Sequence, residues 1–334
     1  MSRTRTRATN SWPSTSSDEV ISSACRPIRC GEAAPSHGLF GEGVETDPVA
    51  IDVNVDAALV LKDLVGIDSY PQVLMLRPNI FRVDHREQVH AVVRNQLVDA
   101  GIIVRDADGD EVAGDRVHPH VAEWLHCLDR PDMEMVVRIV DLGPDRTPLT
   151  MLRMSLVRRD DLHVLAVRLE DHLVIQQVYN DTKQLGTISA ALLAALGPKP
   201  ALRFTSFTAT QAQLREVEGT AEDVRQAFVE LGAERHAATV VARALNEPTR
   251  RAEVVLGQYS VDGRVQPRIS LTVVDSEAGR MVVTPRYGID DQLWTTYLPG
   301  DDAAVHAGIA ALVELLPVRS WFDTRRTDLG GTTS

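Results

Sequence analysis

The 334-residue chain carries 10 histidines, 3 cysteines and 47 acidic residues, the side chains from which a catalytic or metal centre would be built. His85, Glu87 and His90 come nearest to a zinc pattern. Helical zinc histidines stand at i and i+4, so that both rings leave one face, whereas the wider spacing here turns them to different sides. A solvated helix face accounts for them more simply. His118, His120 and His126 fall close together, but Pro119 puts the first two at a helix start, where capping or exposure explains them, and no Cys or Asp cluster completes a ligand set. Cys127 has no flanking motif of a nucleophile and fits a small apolar helix position. Asp160–Asp161 and Asp290–Asp291 sit between strand-like runs, where carboxylates usually bond the turn backbone. There is no GxSxG elbow, no phosphate loop of the GxxxxGK[ST] type and no GxGxxG after a strand. The chemistry-bearing residues thus point away from an enzyme and imply neither a cofactor nor a metal.

Composition narrows the class further. The chain is 44 % hydrophobic and 25 % charged, which suits a globular protein with a large core. A net charge of -12 argues against the phosphate-neutralising surface of a nucleic-acid binder and against an anionic membrane surface, while leaving room for basic partners. Three cysteines make no disulfide framework; reduced thiols in the cytoplasm are the expectation. The longest apolar stretch, Ile188 to Leu196, is far below the roughly 20 residues of a membrane span. Residues 1–48 are rich in Ser, Thr, Gly, Pro and Arg without an apolar period, and are expected to form a disordered tail that packs against nothing.

The elements that would position any site begin near Ala50. Ile51 and Val53 alternate as in a strand, and Asp56 is expected to cap a helix through Val65 that Gly66 ends. Asp84 with Glu87 opens a second helix that presents Val89, Val92, Val93, Leu97 and Ala100. A third covers about His118–Leu128. Four β-branched runs follow, Met133–Val140, Met151–Val157, His163–Leu169 and Leu173–Tyr179, as an antiparallel meander. Thr187 is expected to cap the helix ending at Gly197. A second set then repeats the order. Thr220 and Asp223 form a capping box, a helix covers about Arg235–Leu245, and strands are expected at Ala252–Tyr259, Arg268–Val274, Met281–Pro285 and Gln292–Leu298. A last helix, Asp302–Leu316, turns Val305, Ile309, Leu312 and Leu316 inward.

The two sets also match in sequence. VRNQLVDAG (Val93–Gly101) parallels VRQAFVELG (Val224–Gly232), LDRP (Leu128–Pro131) parallels LNEP (Leu245–Pro248), and RMSLV (Arg153–Val157) parallels RISLT (Arg268–Thr272). Such a duplication predicts a pseudo-twofold α+β domain, its halves at about 84–197 and 220–317, whose strands join into one large sheet with helices on one face or at the ends. The ordered domain is expected over 49–325, with 326–334 as a second tail.

Several segments resemble the EspG family, the cytosolic chaperones of type VII (ESX) secretion: IDVNVDAAL (Ile51–Leu59), SYPQVLMLRPN (Ser69–Asn79), DSEAGR (Asp275–Arg280), TYLPG (Thr296–Gly300) and ELLPVRSWF (Glu314–Phe322). The resemblance implies an α+β fold with a central antiparallel β-sheet flanked by two helical bundles and quasi-twofold symmetry, which the repeat fits independently. It also implies a partner, the PPE protein of a PE–PPE heterodimer, held at its exposed apolar tip so that the pair stays soluble. In the family, the loop between the first two meander strands and the C-terminal bundle contribute to that interface. Here the loop is Asp141–Leu149 and the bundle Thr208–Leu245. The resemblance thereby makes Asp141, Leu142, Gly143, Pro144, Asp145, Arg146, Thr147 and Phe228 candidate partner contacts, with Asp145 and Arg146 on the polar rim. A weak homodimer is a further expectation. A non-catalytic scaffold or regulatory protein binding another secretion component is the alternative.

Overall fold

A computed structural model describes residues 29–32, 48–78, 83–104, 115–180, 182–260, 263–288 and 292–326. The chain runs β1 (Arg29–Glu32), β2 (Pro48–Asn54), α1 (Val55–Val65), a 3-10 turn (Gln72–Leu74), α2 (Val83–Asp99), a small hairpin of β3 (Ile103–Val104) and β4 (Arg116–Val117), and α3 (Pro119–Asp129). The first meander follows as β5 (Met133–Leu142), β6 (Pro148–Arg159), β7 (Leu162–Leu169) and β8 (His172–Gln177), then α4 (Leu185–Leu196). The second unit is β9 (Phe207–Thr210), α5 (Gln211–Leu214), α6 (Ala221–Glu230), α7 (Arg235–Asn246), β10 (Arg250–Ser260), β11 (Gly263–Val265), β12 (Leu271–Ser276), β13 (Gly279–Tyr287), β14 (Leu293–Pro299) and α8 (Asp302–Glu314).

All strands but the β3–β4 pair join one sheet in the order β1-β2-β8-β7-β6-β5-β10-β12-β13-β14-β9, with β11 on β10. The order reads the same outward from the antiparallel β5–β10 pair. The offset that carries Leu128 onto Leu245 carries Val137 onto Val254, and those two residues are cross-strand partners. The expected twofold therefore passes through this pair. The repeat also extends further than its sequence matches, since β2 and β9 occupy equivalent outer places, each just ahead of its bundle.

Side chains alternate across the sheet. On one face Met133, Met135, Val137 and Ile139 of β5 and Val254 of β10 meet Ile188 and Leu192 of α4 and Val305, Ile309 and Leu312 of α8, all buried. Helix α8 lies so close to β12 that a Cβ on Gly308 would stand 2.5 Å from Leu271 Cδ1. The opposite face carries two separate cores. Ala58, Leu61, Val89, Val93, Leu97 and Trp124 of α1–α3 cover β7 and β8, and Phe228, Ala238 and Val241 of α6–α7 cover β12–β14.

Four local expectations are corrected. Asn54, not Asp56, caps α1, accepting from Ala57 N at 2.8 Å, because the helix begins directly after β2. Helix α4 starts at Leu185, so Thr187 lies inside it and bonds Asn180 Oδ1 at 3.3 Å. Phe207–Thr210 forms an edge strand against β14, where a helical bundle was expected to begin. Arg29–Glu32 pairs with β2, although it lies in the stretch expected as a tail; a bare edge of β2 offers unpaired backbone groups that even four residues can satisfy. Residues 1–28, 33–47 and 327–334 lie outside the described residues.

A buried polar clamp closes the C-terminus. Arg158, 1 % exposed, donates from Nε to Trp321 O at 2.7 Å, from Nη1 to Asp160 O at 2.7 Å and from Nη2 to Thr324 O, and it pairs with Asp132 at 3.3 Å. Asp132 in turn accepts from Arg326 N at 2.6 Å, which ties down the first residue of the expected C-terminal tail. Trp321 Nε1 donates to His163 Nε2 at 3.1 Å, while His163 Nδ1 donates to Asp161 O. Burial holds the His163 pKa below the ordinary histidine value, in keeping with a neutral ring that accepts this bond. Arg158→Met would leave Asp132 buried without its counter-charge, costing about 3–5 kcal/mol. The thermal midpoint should fall on the order of ten degrees; an unchanged midpoint contradicts the clamp.

Candidate partner-binding surface

The β5–β6 connection is a compact turn. Gly143 N donates to Thr147 O and Arg146 N to Gly143 O, both at 2.9 Å. Asp145 Oδ1 accepts from Thr147 Oγ1 at 2.6 Å and from Thr147 N at 3.2 Å, and these bonds hold its pKa below the usual carboxylate value. Arg146 adopts φ 62°, an uncommon conformation for a side chain with a Cβ, and its Nη2 donates to Asn246 Oδ1 at the end of α7. The turn is thereby fastened to the second bundle. Pro144, Asp145, Arg146, Thr147 and Leu149 are exposed, whereas Gly143 is buried and Leu142 half-buried.

The candidates therefore divide. The structure brings Arg146 and Phe228 to one small cavity of about 210 Å³, walled also by Val224, Leu245 and Tyr297. Phe228 is only 1 % exposed, however, and its ring packs 5.2 Å from Phe207 and 5.3 Å from Tyr297, so it anchors the bundle and offers little surface to a partner. Asp141 is also committed elsewhere. Its carboxylate accepts from Arg250 Nε at 2.6 Å and Thr150 Oγ1 at 2.7 Å, which lowers its pKa. Leu142 gives its backbone N–H to Thr249 O. That leaves Pro144, Asp145, Arg146 and Thr147 as the accessible rim.

Sequence reasoning missed the surface beside that rim. Leu149, Met151 and Arg153 alternate onto one face of β6, Arg138 and Val140 onto the same face of β5, and Arg251 onto that of β10. Leu149 is 66 % exposed, Val140 and Met151 are half-buried, and Arg138 and Arg251 are exposed. This strip lies on the bundle-bearing face of the sheet, between the two cores. On the α1–α3 side it meets the 3-10 turn, held by Arg168 Nη1 bonds to Leu74 O at 2.6 Å and Met75 O at 2.5 Å, with Met75 itself 46 % exposed. The usable signal was the alternation in PLTMLRMSLV, which puts Leu149 and Met151 on the face opposite the buried Met154 and Leu156.

The remaining chemical candidates do not converge. His118 Nδ1 accepts from His120 N at 3.3 Å at the start of α3, and His126 is exposed further along the helix. Among the described residues no group of three His, Cys, Asp or Glu could hold a metal ion. The His85 side chain and Asp290–Asp291 lie outside the described residues. A shallow depression of about 570 Å³ beside α3 includes Cys127, but burial pushes that thiol up to about 12, and nearby Asp161 is paired with Lys183 at 3.0 Å. The cavity at Arg146 is smaller than the roughly 300–1,000 Å³ of most small-molecule sites. No described helix is long and apolar enough to cross a membrane.

The fold is a two-unit antiparallel sheet carrying two helical bundles, and the chain belongs to the EspG family, whose profile matches residues 54–311. The ESX-1 secretion-associated protein EspG1 of Mycobacterium tuberculosis is 31 % identical over 84 % of this chain and 92 % of its own length. The Mycobacterium marinum EspG1 is 29 % identical over 84 % and 94 %, and the ESX-3 secretion-associated protein EspG3 of Mycolicibacterium smegmatis 27 % over 82 % and 90 %. A solved structure of the Mycobacterium tuberculosis type VII secretion system chaperone EspG5, in complex with a PE25-PPE41 dimer, has the same fold. Its TM-score is 0.64, with 21 % identity over 82 % of this chain and 99 % of that one.

Phe228→Ala should cost about 3–5 kcal/mol of stability as a core truncation, visible as a lower denaturant midpoint, while Asp145→Ala should leave the midpoint unchanged. Equal effects would contradict the division into core and rim.

Proposed function

We propose that this protein is a non-catalytic cytoplasmic chaperone of a type VII secretion system that holds a PE–PPE heterodimer through the PPE subunit. One observation carries the reading beyond family membership. The strip of exposed Leu149 and half-buried Met151 and Val140, continuous with the Pro144–Thr147 rim and braced on α7 through Arg146, is an open apolar surface between the two bundles. An apolar helical tip on the partner would be an aggregation hazard when bare, and covering it needs neither ATP nor a covalent step. Affinity would then come from burial at the centre of the strip, with Asp145 and Arg146 at the edge adding little each.

Co-expression with PE–PPE pairs from the same genome, followed by gel filtration, tests this. A one-to-one complex with a pair is the expected outcome. Leu149→Asp should weaken it about tenfold or more, because a carboxylate would be desolvated against the apolar tip. If folded protein co-elutes with no such pair, the chaperone reading fails and a scaffold for another secretion component takes its place.

A further inference from the structure

Two charged rows cross the middle of the sheet, and only one of them is satisfied. On the face covered by α4 and α8, Asp141, Arg250, Asp275 and Arg280 are successive cross-strand partners of alternating sign. Arg250 Nε meets Asp141 at 2.6 Å, Arg280 holds Asp275 with two bonds of 2.7 and 2.9 Å, and both arginines donate to Leu196 O at the end of α4. On the open face the corresponding row is Arg168, Arg153 and Arg138, three like charges directly opposite one another, followed by Glu253 on β10. Like charges at directly opposed positions destabilise a sheet.

Arg168 is accounted for, since the carbonyls of Leu74, Met75 and Glu170 surround its guanidinium. Arg138 and Arg153 are not. Among the described residues neither side chain makes a hydrogen bond or an ion pair, and Glu253, the cross-strand neighbour of Arg138, makes none with it. Arg251 stands one pleat along on the same face, exposed and similarly unpaired. A chain of net charge -12 has ample carboxylates, yet it leaves three arginines unmatched around its open apolar strip. Departures from local consistency of this kind collect at functional sites.

We propose that Arg138, Arg153 and Arg251 are specificity residues that receive carboxylates of the docking protein, so that the partner's apolar tip is flanked by acidic side chains. The inference rests on the chaperone reading and deepens it. The arginines select an acidic-rimmed partner and speed its approach, and the apolar strip supplies the burial.

The test uses the wild-type chain and the variants Arg138→Glu, Arg153→Glu and Arg153→Thr, titrated with the co-purified PE–PPE pair over a range of sodium chloride concentrations. The wild-type Kd should rise steeply with salt. Each charge reversal should weaken binding about tenfold or more at low salt and flatten the salt dependence. Arg153→Thr should bind more weakly and melt at the same temperature or about a degree or two higher, since it relieves the repulsion. Arg138 is exposed, so Arg138→Glu keeps the readout if Arg153→Glu misfolds. A salt-independent wild-type Kd that the reversals leave unchanged overturns this inference and leaves the chaperone reading intact. Reversals that abolish only self-association on gel filtration also overturn it, in favour of a second copy. A wild-type chain that binds no PE–PPE pair overturns both.

Discussion

The antiparallel pairing of β5 with β10 is the contact on which the rest of the molecule depends. Each half brings four meander strands and a crossing helix, and the first meander strand of each would by itself be a bare sheet edge. Joining along Met133–Asp141 and Arg250–Gln258 removes two bare edges at once and makes one continuous sheet. It also fixes what each face can be. Helices α4 and α8 follow their meanders and meet over the joint on one side, where β5 and β10 are lined with Met, Val, Ile and Leu. The bundles precede their meanders and pack over the outer strands on the other side, and among the described residues nothing covers the middle of that face. The open strip is thus a consequence of the duplication, present because two bundles attached at opposite ends of the sheet do not meet.

Several of the segments that carry the family resemblance hold the frame and leave the open face to other residues. DSEAGR is a hairpin whose Asp275 and Arg280 pair across the turn, and Gly279 there has φ 140° and would place a Cβ 2.8 Å from Pro200 O. TYLPG supplies Tyr297 to the aromatic core of the second bundle and Gly300, whose missing Cβ makes room for Arg280. The Ser-Trp-Phe end of ELLPVRSWF puts Trp321 under the Arg158 clamp. Such residues must satisfy buried polar groups with fixed geometry, and a change in any one leaves a partner unpaired. Leu149, Met151, Arg138 and Arg153 on the open face carry no such obligation among the described residues, so they are free to suit a particular partner.

Much of this was legible in the sequence. Strong periodicity marked the long elements: the eight meander runs, the Thr220–Asp223 capping box and the inward face of Val305, Ile309 and Leu312 all appear where expected. The repeat was visible because VRNQLVDAG and VRQAFVELG build equivalent helices of the two bundles. Short edge strands escaped, since four residues at Phe207–Thr210 or Arg29–Glu32 carry too little period to register. Phe228 was misjudged as surface because a helix that packs on a sheet and one that packs on a partner have the same amphipathic pattern. The arginine row was invisible for a different reason. Arg138, Arg153 and Arg168 become neighbours only through strand register, which local sequence does not encode.

The central claim is that a partner protein docks on the open sheet face beside the β5–β6 turn. Amide hydrogen exchange of the chain alone and with the PE–PPE pair proposed as its partner tests it most directly. The amides of Asp145, Arg146, Thr147 and Leu149, on the exposed residues of the turn, should exchange markedly more slowly in the complex, together with the end of α7 near Asn246, while the solvent side of α4 and α8 stays unchanged. Protection confined to α4, α8 or the depression beside α3, with the turn exchanging at its free rate, would contradict the account.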